Sequence, residues 1–157
     1  MTMKNHVVES TDLNMSELDI FARLTDSQLL HYYEPEFGLF IAETSNVILR
    51  ALSDGYKAEA LIIDKRRLKE AEGVSGGAGL IPNSGEVADV LAFCGGVPIY
   101  TADAAALKNL LNCNLTDGIA CAMRRRKLPS IEEGCAGARR IVVLERVMNP
   151  INVGSIF

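Results

Sequence analysis

The chain has 157 residues, enough for one domain with a proper core and some excess. A hydrophobic fraction of 48% and a charged fraction of 23% are ordinary for a soluble globular protein, and no apolar stretch approaches the ~20 residues that span a bilayer. The net charge of −4 argues, as a sum, against nucleic acid, and the polar segment Met1 to Asn14 lacks the hydrophobic region of a signal peptide, so a cytoplasmic protein is expected.

Residues 1–14 have no period and are expected to be disordered. Ser16-Glu17-Leu18-Asp19 and Thr25-Asp26-Ser27-Gln28 read as capping boxes that start short helices over 16–23 and 26–33. Leu39-Phe40-Ile41-Ala42 reads as a buried strand. Thr44 then caps a helix carrying Val47, Ile48, Ala51 and Leu52 at helical spacing, and Gly55 ends it. Ala60-Leu61-Ile62-Ile63 reads as a second buried strand. The succession predicts a βαβ unit with the two strands paired in parallel. Lys65 to Glu72 is helix-compatible, and Gly73 to Gly85 reads as a loop. A helix follows from Ser84 through Phe93, with Val87, Val90, Leu91 and Cys94 inward. Val97-Pro98-Ile99-Tyr100 is a third strand, Asp103 caps a helix over Ala104 to Leu111, and Gly118 to Met123 is a fourth strand. Residues 15–123 therefore read as an alternating α/β domain with about four strands and helices on both faces.

The charge is unevenly spread. Between Arg124 and Val147 lie seven basic and three acidic residues, which leaves nine basic against seventeen acidic elsewhere. Arg124-Arg125-Arg126-Lys127 is the densest cluster. Four adjacent cations persist when solvated or when facing anions, so the run is either a phosphate-contacting segment or a solvated connector. Glu43, at the end of the first strand and beside a helix start, is either functional or a partner for the helix dipole. His31 has no partner in the sequence and reads as a surface or satisfied residue. Gly73-Val74-Ser75-Gly76-Gly77-Ala78-Gly79 lacks the Gly-Lys-Ser/Thr of a P-loop and the strand-to-helix setting of a dinucleotide fingerprint, so it reads as a surface loop. The four cysteines and two histidines are scattered, which offers no metal site and no catalytic thiol–imidazole pair; the cysteines read as small buried hydrophobes.

Ile141-Val142-Val143-Leu144 reads as one more buried strand. Asn149-Pro150 and Asn152-Val153-Gly154 follow as tight turns, and Ser155-Ile156-Phe157 as the first turn of a helix. The segment from Arg140 to Phe157, with Asn-Pro-x-Asn-Val-Gly-x-Ile after an apolar strand, closely resembles motif 1 of the SpoU/TrmH (SPOUT-class) RNA 2′-O-ribose methyltransferases. Phe37-Gly38-Leu39-Phe40-Ile41-Ala42-Glu43 with Val47-Ile48 and Ala51-Leu52, and Gly118-Ile119-Ala120 with Arg124–Lys127, resemble the N-terminal substrate-binding domain of those enzymes.

The resemblance implies a three-layer α/β/α sandwich with a small mixed sheet, like certain kink-turn-binding ribosomal proteins, over 15–128. It implies a linker over 129–140 and the start of a trefoil-knot methyltransferase domain over 141–157. It implies S-adenosylmethionine as methyl donor, tRNA or rRNA as substrate, and a homodimer formed through the knot. Asn152 matches the motif residue that shapes the active site, and the motif's Arg would follow Phe157. On this reading the chain is a truncated form that recognises RNA through Arg124, Arg125, Arg126, Lys127 and Glu43. It would bind no methyl donor and be inactive by itself. Where the family often has Glu-Gly after the first strand, this chain has Glu43-Thr44. The alternatives are a stand-alone RNA-binding or ribosome-associated module, and a small-molecule-binding α/β protein using the Gly73–Gly85 loop.

Overall fold

The computed structural model describes residues 6–9, 16–33, 38–73, 84–111 and 114–145. The chain divides into two units, Met1–Arg126 and Lys127–Phe157.

The first unit is built on five strands: β1 (His6–Glu9), β2 (Leu39–Glu43), β3 (Lys57–Asp64), β4 (Pro98–Ala102) and β5 (Ile119–Arg124). Their order across the sheet is β1-β4-β3-β5-β2, with β1/β4 and β3/β4 parallel and β5 antiparallel to both β3 and β2. The helices are α1 (Asp19–Ala22, preceded by a 3₁₀ turn at Ser16–Leu18), α2 (Asp26–Leu30), α3 (Ser45–Ser53), α4 (Lys65–Ala71), α5 (Ser84–Phe93) and α6 (Ala104–Leu111).

Two apolar layers sandwich the sheet. On one face Leu61, Ile63, Ile99, Ile119 and Met123 pack with Ile48, Leu68, Val87 and Val90 from α3, α4 and α5. On the other, Leu39, Ile62, Tyr100 and Ala122 pack with Ile20, Leu29 and Leu107 from α1, α2 and α6. Burial of each large aliphatic side chain contributes about 1.5–3 kcal/mol, so these layers dominate the fold.

Three expectations are corrected in this unit. The first is the pairing of β2 with β3, which are not neighbours because β5 lies between them. Ile119 to Met123 is buried on both faces, which requires an interior position. β2, with partly open positions and an exposed Glu43, suits the edge. The parallel pair that does form is β3–β4, joined through α4 and α5.

The second is the N-terminus, because residues 6–9 form a fifth strand along β4. Two valines bounded by polar residues are too short a run to register as a period, and pairing with β4 supplies the missing order. The third is the capping box at Ser16. The Ser16 hydroxyl bonds the neighbouring Glu17 carboxylate instead, and α1 begins after Leu18 with no side-chain cap. The box at Thr25–Gln28 forms as read. The Gly73–Gly85 loop lies almost wholly outside the described residues.

In the second unit, Ser130 and Glu133 form a capping box that starts α7 (Ile131–Cys135). A helix therefore interrupts the expected linker. Ile141–Leu144 is not a buried strand: it pairs with no described strand, and its four residues are 39–84% exposed. A continuous apolar run becomes a buried strand only where neighbouring strands take up its backbone groups. Asn152 and the rest of the motif-like segment lie outside the described residues.

Candidate nucleic-acid interface at one end of the sheet

The sheet has two polar ends. One is formed where β2 and β3 finish and β5 begins. There Arg67, on α4, is 5% exposed in its side chain and pairs with the Asp117 carboxylate, itself 15% exposed. Its Nε also donates to the Asp117 carbonyl at 3.0 Å. The other carboxylate oxygen of Asp117 accepts the backbone N–H of Ser45 at 3.0 Å and the Ser45 hydroxyl. That hydroxyl, fully buried, also reaches Glu86 Oε2 at 3.3 Å.

Gly118 makes this packing possible. Its φ is +68°, and an added Cβ would meet Arg67 Cγ at 3.1 Å and Asp64 Cβ at 3.4 Å. Thr44 lies beside it at φ +73°, a region costly for a β-branched residue. A glycine at this point would take up that conformation freely. Thr44 holds it while capping α3, its Oγ1 accepting the Val47 N–H at 3.5 Å.

The opposite end is formed where β2 and β3 begin and β5 ends, with Arg124 level with Leu39 and Lys57. Strand alternation sends successive arginines to opposite faces. Arg124 lies on the α1/α2/α6 face. It forms an ion pair with Glu59 through Nε at 2.5 Å and Nη2 at 3.2 Å, and sits 4.9 Å from the centre of the Tyr33 ring. The Tyr33 hydroxyl donates to the same carboxylate at 2.8 Å.

Glu59 is placed by a β-bulge: Ala58 and Ala60 pair with consecutive residues of β5, which leaves Glu59 as the extra residue. Such a bulge re-aims one side chain. The Arg124 hydrogen bonds hold the Glu59 carboxyl below its ordinary pKa, and burial pushes the Tyr33 hydroxyl up.

Arg125 and Arg126 lie on other partners. Arg125 Nε donates to the Leu39 carbonyl at 3.0 Å, and its guanidinium is 5.9 Å from the Phe40 ring centre. Arg126 donates to the Asp54 carbonyl at 2.6 Å and lies 4.1 Å from the Tyr56 ring centre. Asp54 caps the C-terminus of α3, where a cation is favoured by the helix dipole. The Phe40 and Tyr56 rings meet edge to face, 5.3 Å apart.

Among the described residues, no carboxylate lies within ion-pair reach of Arg125 or Arg126. Both are exposed, as is Lys57 beside them. Their charges bear on solvent, whereas that of Arg124 is met by Glu59.

The residues picked from the sequence are thus only partly brought together. Arg124, Arg125 and Arg126 share one end. Glu43, exposed and level with Ala120, lies at the other, about 13 Å away by the rise of a strand. Lys127 is exposed and opens the second unit. His31 is exposed. Cys94 and Cys121 are buried in the core, and their mutual hydrogen bond together with burial pushes the Cys121 thiol far up. Both are packed in the apolar layer against α3, α4 and α5. The described residues contain no group of three or more metal-binding side chains and no helix long and apolar enough to cross a membrane.

Sequence reasoning missed Tyr33, Phe40, Tyr56 and Glu59 as partners of the arginines. The aromatic residues flanking the strand starts were the available signal.

No family model matches the chain. Over 119 residues it is 33% identical to a protein described as an uncharacterised tRNA/rRNA methyltransferase of Mycobacterium bovis. It is 32% identical to a likewise-described protein of Mycobacterium tuberculosis. This chain is related to RNA methyltransferases. The match takes in 76% of this chain and 35% of each relative, so the chain spans about a third of their length. A crystal structure of an AdoMet-bound rRNA methyltransferase from Sinorhizobium meliloti has a similar fold. Its TM-score is 0.50 at 19% identity, over 78% of this chain and 38% of that one. The mixed five-stranded α/β unit is therefore a fold found within methyltransferases of RNA.

Proposed function

We propose that residues 15–128 are the RNA-recognition part of a SpoU/TrmH-type enzyme, one that transfers a methyl group from S-adenosylmethionine to a ribose 2′-hydroxyl of tRNA or rRNA. On this reading the transfer itself belongs to the portion of the methyltransferase relatives that the match leaves uncovered. Asn152 would stand in the active site, homodimerisation would run through the knot, and the enzyme would act in the cytoplasm. The chain by itself would bind structured RNA and no methyl donor.

The observation that carries the reading is the uncompensated pair Arg125 and Arg126, held exposed at one end of a sheet whose relatives are named for RNA. Cations without described carboxylate partners, gathered at one place on a chain of net charge −4, favour a polyanion there. Lys57 extends the patch. Arg124 supports it by position and Glu43 takes no part in it, since it lies at the far end.

The test is retention of transcribed tRNA and rRNA hairpins by the 157-residue chain across a salt series, with calorimetry against S-adenosylmethionine alongside. Salt-dependent retention without methyl-donor binding is expected. Absence of RNA retention at low salt would remove the RNA reading, and tight S-adenosylmethionine binding would remove the division of labour.

A further inference from the structure

The Arg125–Phe40–Tyr56–Arg126 array does more than carry charge. Its members form a continuous series: guanidinium on ring, ring on ring, ring on guanidinium, with separations of 5.9, 5.3 and 4.1 Å. Contact with phosphate needs charge and donors but not a ring beneath the cation, so the stacked placement of both guanidiniums is a separate feature. A guanidinium fixed over an aromatic ring presents a planar, weakly hydrated outer surface, and nucleobases stack on such planes as they do on aromatic rings.

Arg126 is the better placed of the two. Its hydrogen bond to the Asp54 carbonyl fixes its rotamer. The turn at Gly55, with φ +85°, brings the backbone close, and a Cβ there would lie 3.7 Å from the guanidinium. The rotamer entropy of Arg126 is therefore lost on folding, which leaves less to lose on binding. Its charge is unmatched by any described carboxylate, unlike that of Arg124.

We propose that this end of the sheet binds an unpaired nucleobase, stacked on the Arg126 guanidinium, so that the RNA it takes is single-stranded, looped or bulged at the contact rather than continuous duplex. The proposal rests on the RNA reading above. In a continuous duplex every base face is covered by its neighbours, and only phosphates and groove edges are offered. An unpaired base offers the π-face that this array matches, while its flanking phosphates meet Arg125 and Lys57.

The experiment uses the 157-residue chain and two RNAs of the same sequence, about 12 nucleotides long. One is single-stranded with a central 2-aminopurine and the other is fully paired. Affinity comes from anisotropy and stacking from 2-aminopurine fluorescence, at about 0.15 M salt. The single strand is expected to bind about tenfold more tightly and to be quenched. Arg126→Lys keeps the charge and loses the plane. It is expected to remove most of the quenching and about tenfold of the single-strand affinity, with duplex binding unchanged.

Equal affinities with no effect of Arg126→Lys would overturn the stacking proposal and leave the RNA reading standing. Equal losses for both RNAs on Arg126→Lys would also overturn it, since charge placement alone would then explain the residue. Retention of neither RNA at low salt would instead sink the RNA reading, and the stacking proposal with it.

Discussion

The two ends of the central sheet are both rich in charge, yet they handle it in opposite ways. At the Asp117 end, cation, carboxylate, hydroxyl and backbone donor close on one another, nearly out of reach of water. At the Arg126 end, two guanidiniums are propped on rings and carbonyl oxygens, with no described carboxylate opposite them. The first arrangement consumes its charge in holding α3, α4 and β5 together. The second leaves its charge facing outward. A cluster of charged residues in a sequence therefore says little until its counter-charges are located, and here the same element, β5, contributes to both ends.

The contrast can be broken most forcefully at the closed end. Asp117→Ala takes the Asp117 carboxylate from the buried Arg67 and removes the acceptor of the Ser45 backbone N–H. A loss of about 3–5 kcal/mol in stability is expected from urea unfolding; a loss under ~1 kcal/mol would show that the network is not structural. At the open end, Arg125→Ala with Arg126→Ala is expected to weaken RNA binding by about tenfold or more while moving stability little. A collapse in stability with this pair would assign the two arginines to the fold.

Glu59 supplies a pH test. Its folded pKa lies below the ordinary value of 4.5, so its contribution is fully present above that value and is lost as pH falls through the lowered one. The wild-type chain is expected to lose stability relative to Glu59→Gln over that acid window, and the two curves should run parallel at neutral pH. Parallel curves throughout would mean the Arg124 pair has no influence on folding. The smallest effect is expected at Thr44. Thr44→Gly relieves the positive φ but adds chain entropy and removes a long cap bond, for a net gain of about 1 kcal/mol or less. A clear loss would show that the cap outweighs the strain.

Much of the α/β alternation was legible in the residues. The continuous apolar runs at Ala60–Ile63 and Gly118–Met123 marked interior strands, and the Thr25–Gln28 box and the apolar spacing from Val87 to Cys94 marked helices. Strand order was not legible: nothing local tells β5 to insert between β2 and β3, since that choice depends on which strands can bury both faces. The Ser130–Glu133 box is readable in the sequence, although the basic composition around it points to a connector.

The candidate interface was half legible. The run Arg124–Arg126 stood out, but its division into one matched and two unmatched charges depends on a bulge at Glu59 that carries no glycine or other local mark. The Arg67–Asp117 contact, fifty residues apart in the chain, had no signature at all.

The central claim is that unmatched arginines, and not the basic run as such, make the RNA contact. Two variants of the 157-residue chain separate these possibilities. Glu59→Gln with Arg124→Gln removes the matched pair without changing net charge, and Arg125→Ala with Arg126→Ala removes the unmatched one. The direct measurement is the slope of RNA affinity against salt for each. The first variant should keep the wild-type slope, and the second should flatten it by about 0.7–0.9 units or more, the share of the Arg125 phosphate contact. Equal flattening in both, or in neither, would contradict the account.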